Sequence, residues 1–236
     1  IKIIKKYFIL HIKNILHIIE KYKNNYELIK KKKKKVMAMP INKPAKTDYK
    51  IIELISNRWS PRAFAEKDVP KDILRPLFEA ARWAASCNNS QPWRYIIAQK
   101  ENTDQFSKAL SCFNENNQKW AKNAPVLGFV CAYQLMAGDR KSRTNFYDTG
   151  MAMAQFTLQA LEHDLYIHQA GGILIDEVRK EYSIPDDVDI VCGFGLGYQG
   201  EADILPEVLA ERELQERIRN PIEDFVFTET YNNKFK

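Results

Sequence analysis

Five residues, Tyr147, Met151, Ala154, Leu158 and Leu161, recur at intervals of 4, 3, 4 and 3. That is the period of one helical stripe. It predicts a core helix, since apolar residues at this spacing normally mean burial rather than a cofactor-binding face. Such a helix needs neighbours to bury against. The runs "WRYIIAQ", "PVLGFVCAY", "LYIHQAGG" and "DIVCGFGLGY" read as strands, the third passing into a loop. "DQFSKALSCF", "NNQKWAKN" and "DEVRKEYS" read as helices, the last closed by Pro185. Thr47 or Asp48 is expected to cap a helix with Ile51, Ile52, Leu54 and Ile55 on one face. Another helix begins near Pro70 and turns Ile73, Leu74, Leu77, Phe78 and Ala81 toward a core. The irregular alternation implies an α+β chain. Beyond Glu201 no return to the core is evident, so the tail is expected to cover another subunit.

The net charge of +6 suggests a polyanion partner until it is divided along the chain. Residues 1–36 hold 12 lysines against Glu20 and Glu27, a net +10, which leaves −4 for the rest. The acidic remainder has no broad nucleic-acid footprint. The basic segment is built largely of Ile, Lys, Asn and Tyr. It can be read as an amphipathic helix lying on a membrane, as a targeting peptide, or as translated upstream sequence. The A/T-rich codons of those residues favour the last, so residues 1–38 are expected to lie outside the fold, with the domain at 39–236. No run reaches the roughly 18 apolar residues of a membrane span, and a membrane partner is not expected.

Several chemistries find no support. Cys87, Cys112, Cys131 and Cys192 form no CxxC pair, and His163 and His168 belong to no HExxH, so no metal site is expected. A reducing, cytoplasmic setting is the simple reading of the cysteines. No GxSxG elbow is present. Gly195, Gly197 and Gly200 match G-x-G-x-x-G, but "EADILPEV" follows instead of a clean helix; they are expected to serve a tight strand exit.

Two basic clusters remain. Arg58, Ser60 and Arg62 sit at a helix end, and Arg217 and Arg219 sit near the C-terminus. Each alone reads as a solvated face. Together they offer what a phosphate ester needs, guanidinium forks and a neutral hydroxyl donor. The polar knot "AASCNNSQPWRY" could add amide and backbone partners for a planar polar ring, with Trp59 or Trp93 for apolar contact.

In order and spacing, "RWSPRAF", "SCNNSQPWRY", "NNQKWAKNAPVLGF", "YDTGMAMAQFTLQA", "HQAGGI" and "RIRNPIEDFVF" resemble the FMN-dependent nitroreductase family. The likeness covers about residues 48–227. It implies a central, mainly antiparallel sheet flanked by helices, in an intertwined homodimer with two FMN sites at the subunit interface. It also implies ping-pong hydride transfer from NADH or NADPH, through FMN, to an electron-poor acceptor such as a nitroaromatic or quinone. Flavin reductases share the fold, and a non-enzymatic flavin-binding protein is a further alternative.

By the same resemblance, Arg58 and Ser60 lie near the FMN phosphate and ribityl chain, beside Trp59. Arg62 takes the basic position near flavin N1 and O2, where charge tunes the cofactor. Ala85, Ser86, Cys87 and Asn89 match a loop that the partner subunit lays against the ring. Asn117 matches an amide on the pyrimidine edge, although it could equally cap a helix. Gln169, Gly171 and Gly172 match a loop facing N5 and O4, and Arg217 and Arg219 match the phosphate ligands. Ala85 replaces a frequent proline, and Ile173 and Leu174 replace phenylalanine and aspartate. No side chain is expected to act as catalytic acid or base, because hydride transfer is the flavin's chemistry.

Overall fold

The computed structural model describes residues 13, 15–26 and 41–235. Residues 15–26 form an exposed helix, α1. The lysine run at 30–35 and the expected boundary at 38/39 lie outside the described residues. The remaining helices are α2 (Glu53–Asn57), α3 (Lys71–Arg82), α4 (Thr103–Ser111), α5 (Glu115–Ala121), α6 (Asn145–Glu162), α7 (Ile175–Glu181) and α8 (Glu207–Leu214). The strands are β1 (Trp93–Gln99), β2 (Val126–Tyr133), β3 (Leu135–Met136), β4 (Arg140–Lys141), β5 (Leu165–Ala170) and β6 (Val188–Tyr198). Four of them build one antiparallel sheet in the order β1-β2-β6-β5, and β3 and β4 form a small hairpin. The expected α+β class and antiparallel sheet are therefore observed.

Strand β2 is an unbroken apolar run because helices cover both faces of the sheet. Val126 and Val130 pack with α3 and α6 through Leu74, Leu77, Ala152 and Phe156. Leu127, Phe129 and Cys131 point the other way, to Phe106, Phe113 and Trp120 of the α4–α5 region and Val178 of α7. The three glycines of the apparent nucleotide motif make no turn there. Gly195 and Gly197 lie within β6, where an added Cβ would come 2.8 Å from the Trp120 ring and 2.5 Å from Pro125. Gly200 abuts the Phe64 backbone, where a Cβ would stand 2.5 Å from the carbonyl carbon. These glycines give space to neighbouring groups.

The structure corrects three further sequence expectations. The 4-3-4-3 stripe of α6 is not its buried face. Tyr147 is 70% exposed and Met151, Leu158 and Leu161 are half-buried, while Asp148, Thr149, Ala152, Met153, Phe156, Thr157 and Ala160 face the core. Two of the inward polar groups have local partners: Asp148 Oδ2 accepts from Thr144 Oγ1 at 3.1 Å, and Thr157 Oγ1 donates to Met153 O at 2.7 Å, while the Thr149 hydroxyl is buried without one. Second, α2 begins after Ile52 with no side-chain cap and buries no residue; Ile51, Ile52 and Ile55 are all exposed. Third, the tail does return to the core, since Ala202, Leu205 and Ala210 join the inner cluster and Glu213 is buried.

Candidate phosphate and ring site

The two arginine clusters meet. Arg58, Trp59, Ser60 and Arg62, on the turn after α2, line one pocket of about 240 Å³ with Arg217 and Arg219, which follow α8. Arg58 Nη1 donates to Ser60 Oγ at 3.3 Å. Burial first, then the charges of Arg217 and Arg219, holds the Arg58 guanidinium below its usual pKa. Arg217 shifts the same way, through burial and Arg219. Among the described residues none of the three has a carboxylate within ion-pair distance. Clustered guanidinium groups without ion-paired carboxylates attract anions. Trp59 is the wall of this pocket: it is buried against Tyr166, with Lys43 Nζ 4.7 Å from its ring centroid. Trp93, the other candidate, belongs to the core beneath α3 and α6.

Two residues that the sequence did not single out organise the pocket. Lys43 Nζ donates to the Glu213 backbone carbonyl at 2.9 Å, and Arg217 Nη1 donates to the carbonyls of Lys43 at 2.7 Å and Ser56 at 2.6 Å. Glu213 Oε1 accepts the backbone N–H groups of Arg62 at 2.7 Å and Ala63 at 3.0 Å. A lone Lys or Glu amid polar sequence reads as solvated, so nothing local marked either one.

A buried network connects this turn to the glycine loop. Asn114, not Asn117, caps α5 by accepting the Asn117 N–H. The Asn117 side chain is spanned instead: Nδ2 donates to Gly172 O and Oδ1 accepts from Trp120 Nε1, both at 3.0 Å. Gly172 sits so close that an added Cβ would stand 2.5 Å from both asparagine Nδ2 atoms. Trp120 packs on His168, whose Nδ1 donates to Ser60 O and Pro61 O at 3.0 and 3.1 Å. Burial, and then Arg62, lowers the His168 pKa to about 4, so the ring is neutral at pH 7. One available signal for His168 was a polar residue inside an apolar strand beside Gly171 and Gly172. Gln169 and Gly171 are exposed at the end of β5.

The polar knot lies elsewhere. Cys87–Asn89 form a short 3-10 turn, with φ near +50° at Asn88, Asn89 and Gln91. The Cys87 N–H donates to Asp148 Oδ2 at 3.1 Å, which anchors the turn near the start of α6. Ala85, Cys87 and Asn89 are exposed and Ser86 is half-buried. Trp59 shares a second pocket with Leu161 and Glu162, at the other end of α6. At 1.5 Å per residue these ends are about 20 Å apart. One chain therefore unites Arg58, Trp59, Ser60, Arg62, Arg217 and Arg219, and separately Asn117 and Gly172, but leaves Ala85–Asn89 remote from the arginines.

A three-layer α+β frame carries a cationic pocket, with a glycine loop braced behind it. Residues 55–198 match the nitroreductase family, and the chain belongs to that family. It is 34% identical to a solved oxidoreductase containing FMN, with a TM-score of 0.76 over 83% of this chain and 100% of that one. A solved nitroreductase family protein from Clostridium difficile 630 is 25% identical, with a TM-score of 0.60 over 78% of this chain and all of its own. A Bacillus subtilis protein, provisionally named NAD(P)H nitroreductase YfhC, is 25% identical over 179 residues, 70% of this chain and 91% of that protein.

Proposed function

We propose that this chain is a flavoprotein oxidoreductase that holds FMN, uses NADH or NADPH as electron donor and reduces an electron-poor small molecule such as a nitroaromatic or quinone in a ping-pong sequence. The observation that carries this reading is the convergence of Arg58 and Ser60 with Arg217 and Arg219 in one pocket. The donor set fits a phosphate monoester: guanidinium forks without acidic partners, plus a hydroxyl. When bound, FMN supplies hydride acceptance from the nicotinamide and hydride donation to the acceptor.

This chain's own residues bind and orient. Arg58, Ser60, Arg217 and Arg219 hold the phosphate. Arg62, next along the same turn, adds a fixed positive charge on the ring side. The Asn117–Gly172 and His168–Ser60 hydrogen bonds keep the glycine loop and the arginine turn at a constant separation. The absence of a side chain at Gly171 lets a planar ring approach the backbone.

The remaining wall comes from a second copy. The stripe of exposed Tyr147 and Ala154 with half-buried Met151, Leu158 and Leu161 supports a twofold pairing of α6 with its counterpart, extended by exposed Ile51, Ile52, Ile55 and Trp83. An antiparallel α6 pair sets the start of one helix beside the end of the other. Ser86, Cys87 and Asn89 of one protomer then reach the arginine pocket of its partner.

The test begins with the absorption spectrum of the purified protein and identification of the flavin released by acid. Anaerobic stopped-flow reduction by NADH and by NADPH follows, then reoxidation by a nitroaromatic and a quinone. Non-covalent FMN, bleached by a nicotinamide and restored by an acceptor, is the expected result. Protein that binds FMN but is not bleached by either nicotinamide would be a flavin carrier instead.

A further inference from the structure

Glu213 has a fully buried side chain, at 0% exposure. Its Oε1 accepts two consecutive backbone N–H groups, those of Arg62 and Ala63. Its Oε2 is buried without a hydrogen bond, and Arg62 Nη1 lies 3.9 Å away. Burial pushes the carboxyl pKa up, while the two N–H donors, Arg62 and Lys43 pull it back. Burying a carboxylate beside an unsatisfied oxygen is costly, and the two N–H groups alone would be served by a neutral acceptor. The surroundings supply the reason for a charge: Lys43, Arg58, Arg62, Arg217 and Arg219 line the same pocket and repel one another.

The bonds around Glu213 form a closed clasp of three segments distant in sequence. Its backbone carbonyl accepts from Lys43 Nζ, its side chain holds Arg62 and Ala63, and four residues onward Arg217 grips Lys43 O and Ser56 O. Ala45 N–H also donates to Ser56 O, at 2.8 Å. The turn bearing Arg58 and Ser60 is thereby fixed relative to the segment bearing Arg217 and Arg219.

We propose that Glu213 is the positioning residue of the phosphate grip, holding the two cationic segments at the offset that one phosphate bridges, with Lys43 as its strap. The inference rests on the phosphate reading above. A pocket preformed in this way binds its anion without first bringing like charges together.

The test titrates apoprotein with FMN and with riboflavin, which lacks the phosphate, following flavin fluorescence and recording the thermal midpoint of each apoprotein. The parent is expected to prefer FMN by at least about tenfold. Glu213→Gln keeps an acceptor for both N–H groups but removes the charge, so its preference should fall between those of the parent and Glu213→Ala. Glu213→Ala should lose about tenfold in FMN affinity with riboflavin affinity within about twofold of the parent, and Lys43→Met should lose a few-fold in the same FMN-specific way. A folded Glu213→Ala with the parent's preference, or one that weakens both ligands equally, overturns the proposal. If Glu213→Ala fails to fold, Lys43→Met decides, and an unchanged preference there overturns it. A parent without preference for FMN overturns the phosphate reading itself; a preference that persists through every variant overturns only the role of Glu213.

Discussion

The indole of Trp120 lies 4.4 Å, centroid to centroid, from the imidazole of His168, and that imidazole donates its Nδ1 proton to the carbonyls of Ser60 and Pro61. The pair is the strut between the glycine loop and the arginine turn. Its cost appears in acid. Folding lowers the His168 pKa from 6.5 to about 4, so the folded chain takes up the proton less readily than the unfolded one. The associated stability is complete above pH 6.5 and is lost as pH falls toward 4. The loss should be about 2 kcal/mol by pH 5. Urea unfolding at pH 7.5 and pH 5, in the parent and in His168→Phe, measures it, and equal pH slopes in the two would count against this assignment.

Arg219→Ala should weaken FMN. A charge-assisted hydrogen bond contributes about 1.5–3 kcal/mol, so the dissociation constant should rise by roughly 10- to 150-fold, with riboflavin little changed. Equilibrium dialysis against both flavins checks the claim. Unaltered FMN affinity would remove Arg219 from the site.

The α6 stripe makes a prediction about assembly. Leu158→Glu places a charge in the proposed contact between helices, which should shift sedimentation from dimer to monomer and reduce flavin content together. A dimer that persists unchanged would refute the α6 pairing.

Tagged heterodimers test the division of the site between protomers. Pairing an Asn89→Trp chain with an Arg219→Ala chain gathers both defects in one site and leaves the other intact, provided Asn89 and Arg219 serve the same flavin from different chains. Flavin titration should find about half of the sites normal. Two equally impaired sites would place both residues on one chain's flavin.

A chain begun at Met39 should fold and bind flavin as the full chain does. It keeps Ile41, which packs on the inner core and whose carbonyl accepts Gln199 Nε2 at 3.0 Å. Circular dichroism and flavin titration of the shortened chain decide the matter; loss of either signal would make residues 1–38 structural.

Much of the frame was legible because strands and helices differ in apolar period. "WRYIIAQ" became β1 residue for residue, and the helix near Pro70 buries Leu74, Leu77 and Ala81 as its spacing implied. The meeting of Arg58 with Arg217 was suggested by what a phosphate ester needs and given its register by the family resemblance, since no local pattern links residues so far apart. Periodicity misled at α6 for a physical reason: it reports an apolar face without saying whose surface covers it. The face turned to this chain's own core carries Asp148 and Thr157, whose polar atoms have partners nearby. Glu213 and Lys43 stayed hidden because their burial depends on segments remote in sequence.

The bare face of β6 constrains how this protein can change. Gly193, Gly195 and Gly197 leave one side of the strand without side chains, and Phe113, Ile173, Trp120 and Pro125 fill that space from other elements. A methyl at Gly193 would come within 2.8 Å of both Phe113 and Ile173. No single substitution at these positions is free, because the shape of the strand is stored in residues that belong to other elements. Descent with modification here must proceed by paired replacements, a glycine exchanged for bulk only when the facing ring or proline shrinks, so related chains should vary at these sites jointly or not at all.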